Sequence, residues 1–286
     1  MAEIINGKEI AENILNNIKK EVESYDVKPT LAVIIVGNDP ASKVYVKNKI
    51  KKSEFLGFNS ILKELPENTT KEELLDVIKN LNEDKNVNGI LLQLPLPKGL
   101  NEKDFLDEIS PIKDVDGFTT YNSGKLFKGE KPYAVACTPK GIIKLLETKN
   151  INLEGKLAVV IGRSNIVGKP IAALLLQKNA TVIQAHSKTK NLPEILKLAD
   201  VIISATGKEE FIKGDMVKEG AVIIDVGITR NKNGKLTGDV DFESVNKKVS
   251  YITPVPGGVG PMTIASLMEN TLELYKLQKG LKQWKI

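Results

Sequence analysis

KLAVVIGRSNIVGKP, residues Lys156–Pro170, decides how this chain is read. Leu157–Ile161 is an unbroken apolar run of strand length, Gly162 opens a tight loop, and a helix begins near Val167–Gly168. A buried strand, a glycine loop and a helix in that order make a nucleotide-binding βα unit. Its free backbone N–H groups and helix N-terminus suit a pyrophosphate. The spacing is not a strict G-x-G-x-x-G, because Ser164 takes the place of the second glycine and Gly168 comes one residue late.

The residues downstream narrow the ligand. A second strand, Ala180–Ala185, runs into His186–Lys190, HSKTK. A site for NAD carries an acid near this point to bond the ribose 2′-hydroxyl. Here there is none, and Ser187, Lys188 and Lys190 stand with Arg163 of the loop. A hydroxyl and cations welcome a 2′-phosphate, so the expected cofactor is NADP. Arginine is scarce, with only Arg163 and Arg230 in the whole chain. Arg163 is either a forked donor for phosphate or a solvated loop residue.

Composition bounds the rest. With 286 residues the chain is long enough for two domains, and 41% apolar with 27% charged residues is ordinary for a folded soluble protein. The net charge of +5 comes from lysines interleaved with acids, which argues against a nucleic-acid partner. No signal peptide is visible in MAEIINGKEI, and no apolar run is long enough to span a membrane. A single cysteine, Cys137, excludes an internal disulfide and fits a reducing, cytoplasmic setting. One histidine, His186, and one cysteine also exclude the usual zinc sites, so no metal is expected. A Ser-His-Asp triad would have to use His186, which ends a strand in the cofactor half.

Strand and helix signals alternate along the chain, which predicts parallel sheets covered by helices. In the first half the strands are expected at 30–36, 60–65 and 89–94, with helices at 41–55, 71–81 and 101–109, and residues 111–137 as an irregular stretch. In the second half strands are expected at 157–161, 180–185, 201–205, 221–226 and 251–253, after a helix at 139–148 and before a long helix from Met262 to Lys279. The fold class is α/β, with two doubly wound domains and a cleft between them. The first is expected over 1–138, with the last helix, 266–286, returning to it; the second, over 139–265, is of Rossmann type.

Tyr45 and Lys49 share a face of the helix that follows the first strand, at the carboxyl edge where open α/β sheets bind ligands. A lysine held among apolar neighbours can lose its proton near neutral pH and act as a base. Gln93 interrupts the apolar strand at 90–94. Its amide is bonded either to backbone or to a ligand or Lys49. In KDVDG, Lys113–Gly117, Asp114 and Asp116 make an Asx-type turn, or one of them, Asp116, accepts from the N–H groups of a heterocycle. PVPGGVGPMT, Pro254–Thr263, combines proline stiffness with glycines that let a ligand approach the backbone.

Seven segments in order carry a family resemblance: ASKVYVKNK (41–49), GILLQLPLP (89–97), KDVDGF (113–118), CTP (137–139), GRSNIVGKP (162–170), HSKT (186–189) and PGGVGPMTI (256–264). Together they resemble the methylenetetrahydrofolate dehydrogenase/methenyltetrahydrofolate cyclohydrolase family along essentially the whole chain. The resemblance implies oxidation of 5,10-methylenetetrahydrofolate with NADP, then hydrolysis to 10-formyltetrahydrofolate, by a homodimer joined through its cofactor domains. It implies that Lys49 is the key residue of cyclohydrolysis, that Gln93 tunes it, that Tyr45 positions the folate and that Asp116 bonds the pterin. Pro256, Gly257, Gly258 and Val259 would border the folate. Gly162, Arg163, Ser164, Ile166, Val167, Gly168, Ser187, Thr206, Gly207, Gly227 and Ile228 would bind the cofactor, with Arg163 and Ser187 on the 2′-phosphate.

Overall fold

The computed structural model describes residues 1–282, and its chain divides into two compact units. One comprises Asn13–Cys137 and the segment from Ile264 onward, and the other comprises Met1–Glu12 and Thr138–Thr263. The expected helix over 266–286 runs in part outside the described residues.

The first of these units is built on a parallel three-stranded sheet of β2 (Thr30–Val36), β3 (Asn59–Leu65) and β4 (Gly89–Leu92), with β2 in the middle. TLAVIIV in β2 is buried along its whole length, as a strand covered on both faces must be. α2 (Pro40–Phe55) follows β2, and its start is set chemically. The Asp39 carboxylate accepts from the Ser42 N–H at 2.7 Å, and Pro40 supplies the first helical turn. α3 (Lys71–Glu83) opens with a reciprocal capping box between Thr70 and Glu73. Leu74, Ile78, Ile90, Leu92 and Phe105 close the core between these elements.

The stretch 111–137 is more ordered than expected. α4 is only Lys103–Leu106, but α5 (Thr120–Phe127) is a helix that the sequence reading missed. TYNSGKLF is poor in helix formers, so tertiary contacts specify it. Thr119 caps it by accepting from the Asn122 N–H, and the Asn122 amide donates to Pro111 O and to Asp114. Asp114 also accepts from the Gly117 and Thr119 N–H groups, at 2.8 and 2.9 Å. Lys113 is buried, and its Nζ donates to the carbonyls of Leu81, Asn82 and Asp84, closing the C-terminal end of α3.

The other unit holds a parallel six-stranded sheet. β1 is Glu3–Ile4, β5 Leu157–Ile161, β6 Thr181–Ala185, β7 Val201–Ser204, β8 Val222–Asp225 and β11 Tyr251–Ile252. Their order is β1-β11-β8-β7-β5-β6. The expected first domain began at residue 1, yet Met1–Glu12 lies in this unit, because β1 pairs with β11. β1 and the first helix, α1 (Gly7–Glu23), were not anticipated; α1 runs from this unit into the other. The helices here are α6 (Cys137–Thr148), α7 (Gly168–Gln177), α8 (Leu192–Leu196) and α9 (Phe242–Val245). β9 (Thr229–Arg230) and β10 (Leu236–Thr237) form a small antiparallel hairpin, too short to leave a periodic signature. The last helix, α10 (Val259–Gln278), also passes from this unit into the other.

Lys113→Met should leave three carbonyls at the end of α3 without their donor. Urea unfolding is expected to report a loss of about 2–4 kcal/mol, and a variant as stable as the parent would show that those bonds contribute little.

Candidate active site

In the three-stranded unit, two loops leave the carboxyl ends of adjacent strands. Beyond β2, Gly37 and Asp39 lead into α2; beyond β4 comes Gln93, whose N–H still bonds to Ile34 O of β2. Lys49, two turns into α2, donates from Nζ to Gln93 Oε1 at 2.9 Å. The Gln93 amide nitrogen in turn donates to Leu94 O at 2.6 Å, which fixes which end of the amide faces the lysine. Of the two readings left open for Gln93, both hold at once: its nitrogen serves the backbone and its oxygen serves Lys49. Tyr45 sits one turn before Lys49 and is 51% exposed, so its ring is available at the surface.

Asp116 belongs to the same group. Burial pushes its carboxyl above the ordinary carboxylate range and Asp114 adds to the rise, while the positive charge of Lys49 opposes it. The Cys137 thiol also works against the rise, donating to Asp116 Oδ1 at 3.6 Å and to Val115 O at 3.4 Å. Asn270 donates to Val115 O and Val135 O, tying the turn to the segment just before Cys137. Neither Cys137 nor Asn270 was assigned a site role from sequence. The two aspartates of KDVDG divide the work: Asp114 is consumed by the turn and by α5, and Asp116 is left to face Lys49.

In the six-stranded unit, the strand order reverses between β5 and β7, the position where open sheets take nucleotides. The loop from Gly162 to Gly168 fills it. Gly162 has φ +138°, and a Cβ there would lie 2.8 Å from Ala205 O. A Cβ on Gly168 would lie 2.3 Å from Gly162 O, so α7 starts hard against the loop it follows. The Ser164 hydroxyl accepts from the N–H groups of Val167 and Gly168, capping α7. Arg163, Ser164 and Ile166 are exposed. Ser187, Lys188 and Lys190 are exposed beyond β6, in a turn held by the Thr189 hydroxyl on His186 N–H. A glycine cradle, an open arginine and two exposed lysines fit a dinucleotide bearing a 2′-phosphate.

The other expected residues gather beside this loop. Thr206 and Gly207 follow β7, and Gly227 and Ile228 follow β8. Gly227, Ile228 and Pro256–Val259 line one cavity of about 150 Å³. Two residues that the sequence reading passed over, Asp225 and Asp239, lie buried behind these loops. Their signal was available: Asp225 ends the apolar run VIID of β8. Burial pushes Asp225 up to about 7, and Asp239 adds to the rise, against hydrogen bonds from the N–H groups of Asp239, Val240 and Gly227.

Fold and site together define a dinucleotide-dependent α/β enzyme with a separate lysine–amide centre. Residues 5–116 match the catalytic domain of the tetrahydrofolate dehydrogenase/cyclohydrolase family, and residues 136–279 match its NAD(P)-binding domain. The bifunctional protein FolD of Oceanobacillus iheyensis is 55% identical over 284 residues, 98% of each chain. The solved bifunctional FolD methylenetetrahydrofolate dehydrogenase/cyclohydrolase of Campylobacter jejuni has TM-score 0.95 and 48% identity, covering 99% of this chain and 100% of that one. That of Trypanosoma brucei, solved with NADP and an inhibitor, has TM-score 0.92 and 36% identity, covering 99% of both. The chain belongs to the tetrahydrofolate dehydrogenase/cyclohydrolase family, which bears out the resemblance read from the seven segments.

Because Asp225 titrates above its ordinary value of 3.8 in the folded state, it contributes stability at low pH that is lost as pH rises to about 7. The urea midpoint of the parent relative to Asp225→Asn is expected to fall between about pH 5 and about pH 7.5. A difference that grows with pH would contradict this assignment.

Proposed function

We propose that the chain oxidises 5,10-methylenetetrahydrofolate to 5,10-methenyltetrahydrofolate with NADP and hydrolyses that product to 10-formyltetrahydrofolate. In the oxidation the bridging carbon loses hydride, and the two flanking nitrogens share the positive charge that results. The protein therefore has to orient the folate rather than supply an acid or base. NADP, when bound, is the hydride acceptor. Gly162, Ser164, Ile166, Val167 and Gly168 cradle its phosphates. Arg163 and Ser187 hold the 2′-phosphate, while Thr206, Gly207, Gly227 and Ile228 shape the remainder of its site.

Hydrolysis is different. Water adds to the methenyl carbon, its proton must leave, and the ring nitrogen that departs must be protonated. Lys49 moves these protons. The observation that carries this role is the 2.9 Å bond from Lys49 Nζ to Gln93 Oε1. An amide oxygen accepts from an amine and from an ammonium alike, so Gln93 holds the nitrogen in place through both halves of a proton transfer. Tyr45 packs on the folate, Asp116 accepts from the pterin N–H groups, and Pro256–Val259 give the ligand a close, rigid backbone wall. A cytoplasmic homodimer completes the reading; the buried thiol of Cys137 suits a reducing compartment, and no helix among the described residues is long and apolar enough to cross a membrane.

Lys49→Ala should keep measurable dehydrogenase activity and lose cyclohydrolase activity by about 10²–10⁴-fold in parallel spectroscopic assays. Full hydrolysis by that variant would remove Lys49 from the mechanism. Arg163→Ala should raise the KM for NADP about tenfold or more and that for NAD little, since a charged hydrogen bond contributes about 1.5–3 kcal/mol. Equal rises for the two cofactors would be inconsistent with an arginine on the 2′-phosphate.

A further inference from the structure

We propose that Asp225 and Asp239 are positioning residues for the dinucleotide, shaping its site through the loops after β7 and β8. The inference rests on the reading of those loops as cofactor-binding. Neither carboxylate is at the surface: Asp225 is 4% exposed and Asp239 fully buried. Each uses both oxygens as acceptors. Asp239 Oδ2 accepts from Ser204 Oγ at 2.9 Å and from the Thr206 N–H at 2.6 Å, and Oδ1 accepts from the Lys208 N–H at 3.0 Å. Asp225 Oδ1 accepts from the N–H groups of Gly227 and Asp239, at 2.9 and 3.0 Å, and Oδ2 accepts from Val240 N–H at 3.0 Å.

The arrangement is reciprocal. A Cβ on Gly227 would lie 2.2 Å from Asp239 Oδ1, and one on Gly238 would lie 1.9 Å from Asp225 Oδ2. Each carboxylate is thus seated on a glycine in the other's segment. Asp239 ties Thr206 and Lys208 to the segment at 238–240, and Asp225 ties that same segment to Gly227. Two buried carboxylates are a costly way to fill a core, since apolar side chains of similar volume do it without the desolvation penalty. Their fit here is to backbone N–H groups of two loops, and it dictates the path those loops take.

The test compares Asp239→Asn with the parent full-length protein. An asparagine would set its amide N–H₂ against a backbone N–H donor. The dissociation constant and KM for NADP are expected to rise about tenfold or more. Cyclohydrolase activity on methenyltetrahydrofolate without NADP should stay within about twofold, because Lys49, Gln93 and Asp116 lie in the other compact unit and the Asp239 carboxylate bonds to Ser204, Thr206 and Lys208, not to Pro256–Val259. Unchanged NADP affinity would overturn the proposal, as would an equal fall in both activities with a lowered melting temperature. Arg163→Ala, measured alongside, separates the causes. If it weakens NADP binding and Asp239→Asn does not, only the positioning role fails; if neither does, the cofactor reading falls too. Should Asp239→Asn not fold, Ser204→Ala removes one donor to Asp239, and a rise of about two- to fivefold in the NADP dissociation constant is expected; no rise would overturn the proposal.

Discussion

A parallel strand covered on both faces has no room for a polar side chain along its length, so its chemistry collects where it ends. β2, β4, β7 and β8 are buried throughout, and β5 nearly so. The residues that matter sit at or just past their carboxyl ends: the polar Gln93 after β4, Ser204 at the end of β7 and Asp225 at the end of β8, and the loop-opening Gly162 after β5. This constraint places the lysine–amide pair in one unit and the nucleotide loop in the other at equivalent edges of two sheets.

Once the ends are fixed, backbone donors and acceptors decide the details. Gln93 is oriented by Leu94 O, Asp116 by a turn that Asp114 holds, and the loops after β7 and β8 by two carboxylates. In each case a hydrogen-bonded neighbour sets the direction of a residue at the candidate site. Lys113 plays the same part at one remove, holding the end of α3 beneath the turn that carries Asp116.

The division between KDVDG's two acids shows how far a pattern can go. Spacing i, i+2 in a loop says only that both cannot share one backbone turn in the same way. Which acid is spent on N–H groups depends on Thr119 and Asn122, and those contacts exist only once α5 has formed. α5 itself was illegible because Thr120–Phe127 contains few helix formers and is specified by its cap and by Asn122. β1 was illegible for a similar reason: two residues have no periodicity, and pairing with β11 across the length of the chain makes them a strand.

From the residues alone came the alternating architecture, the long buried strands, the glycine loop with Arg163 and Ser187, and the shared face of Tyr45 and Lys49. Those features are local, fixed by apolar runs, turn chemistry and helical spacing. Tertiary structure alone decided that Lys49 and Gln93 touch, that Asp116 rather than Asp114 faces the lysine, that Met1–Glu12 joins the six-stranded unit, and that Asp225 and Asp239 lock into each other's segments. These are contacts between residues distant in sequence, and strand order and register, which no short window of sequence contains, bring them within hydrogen-bond reach.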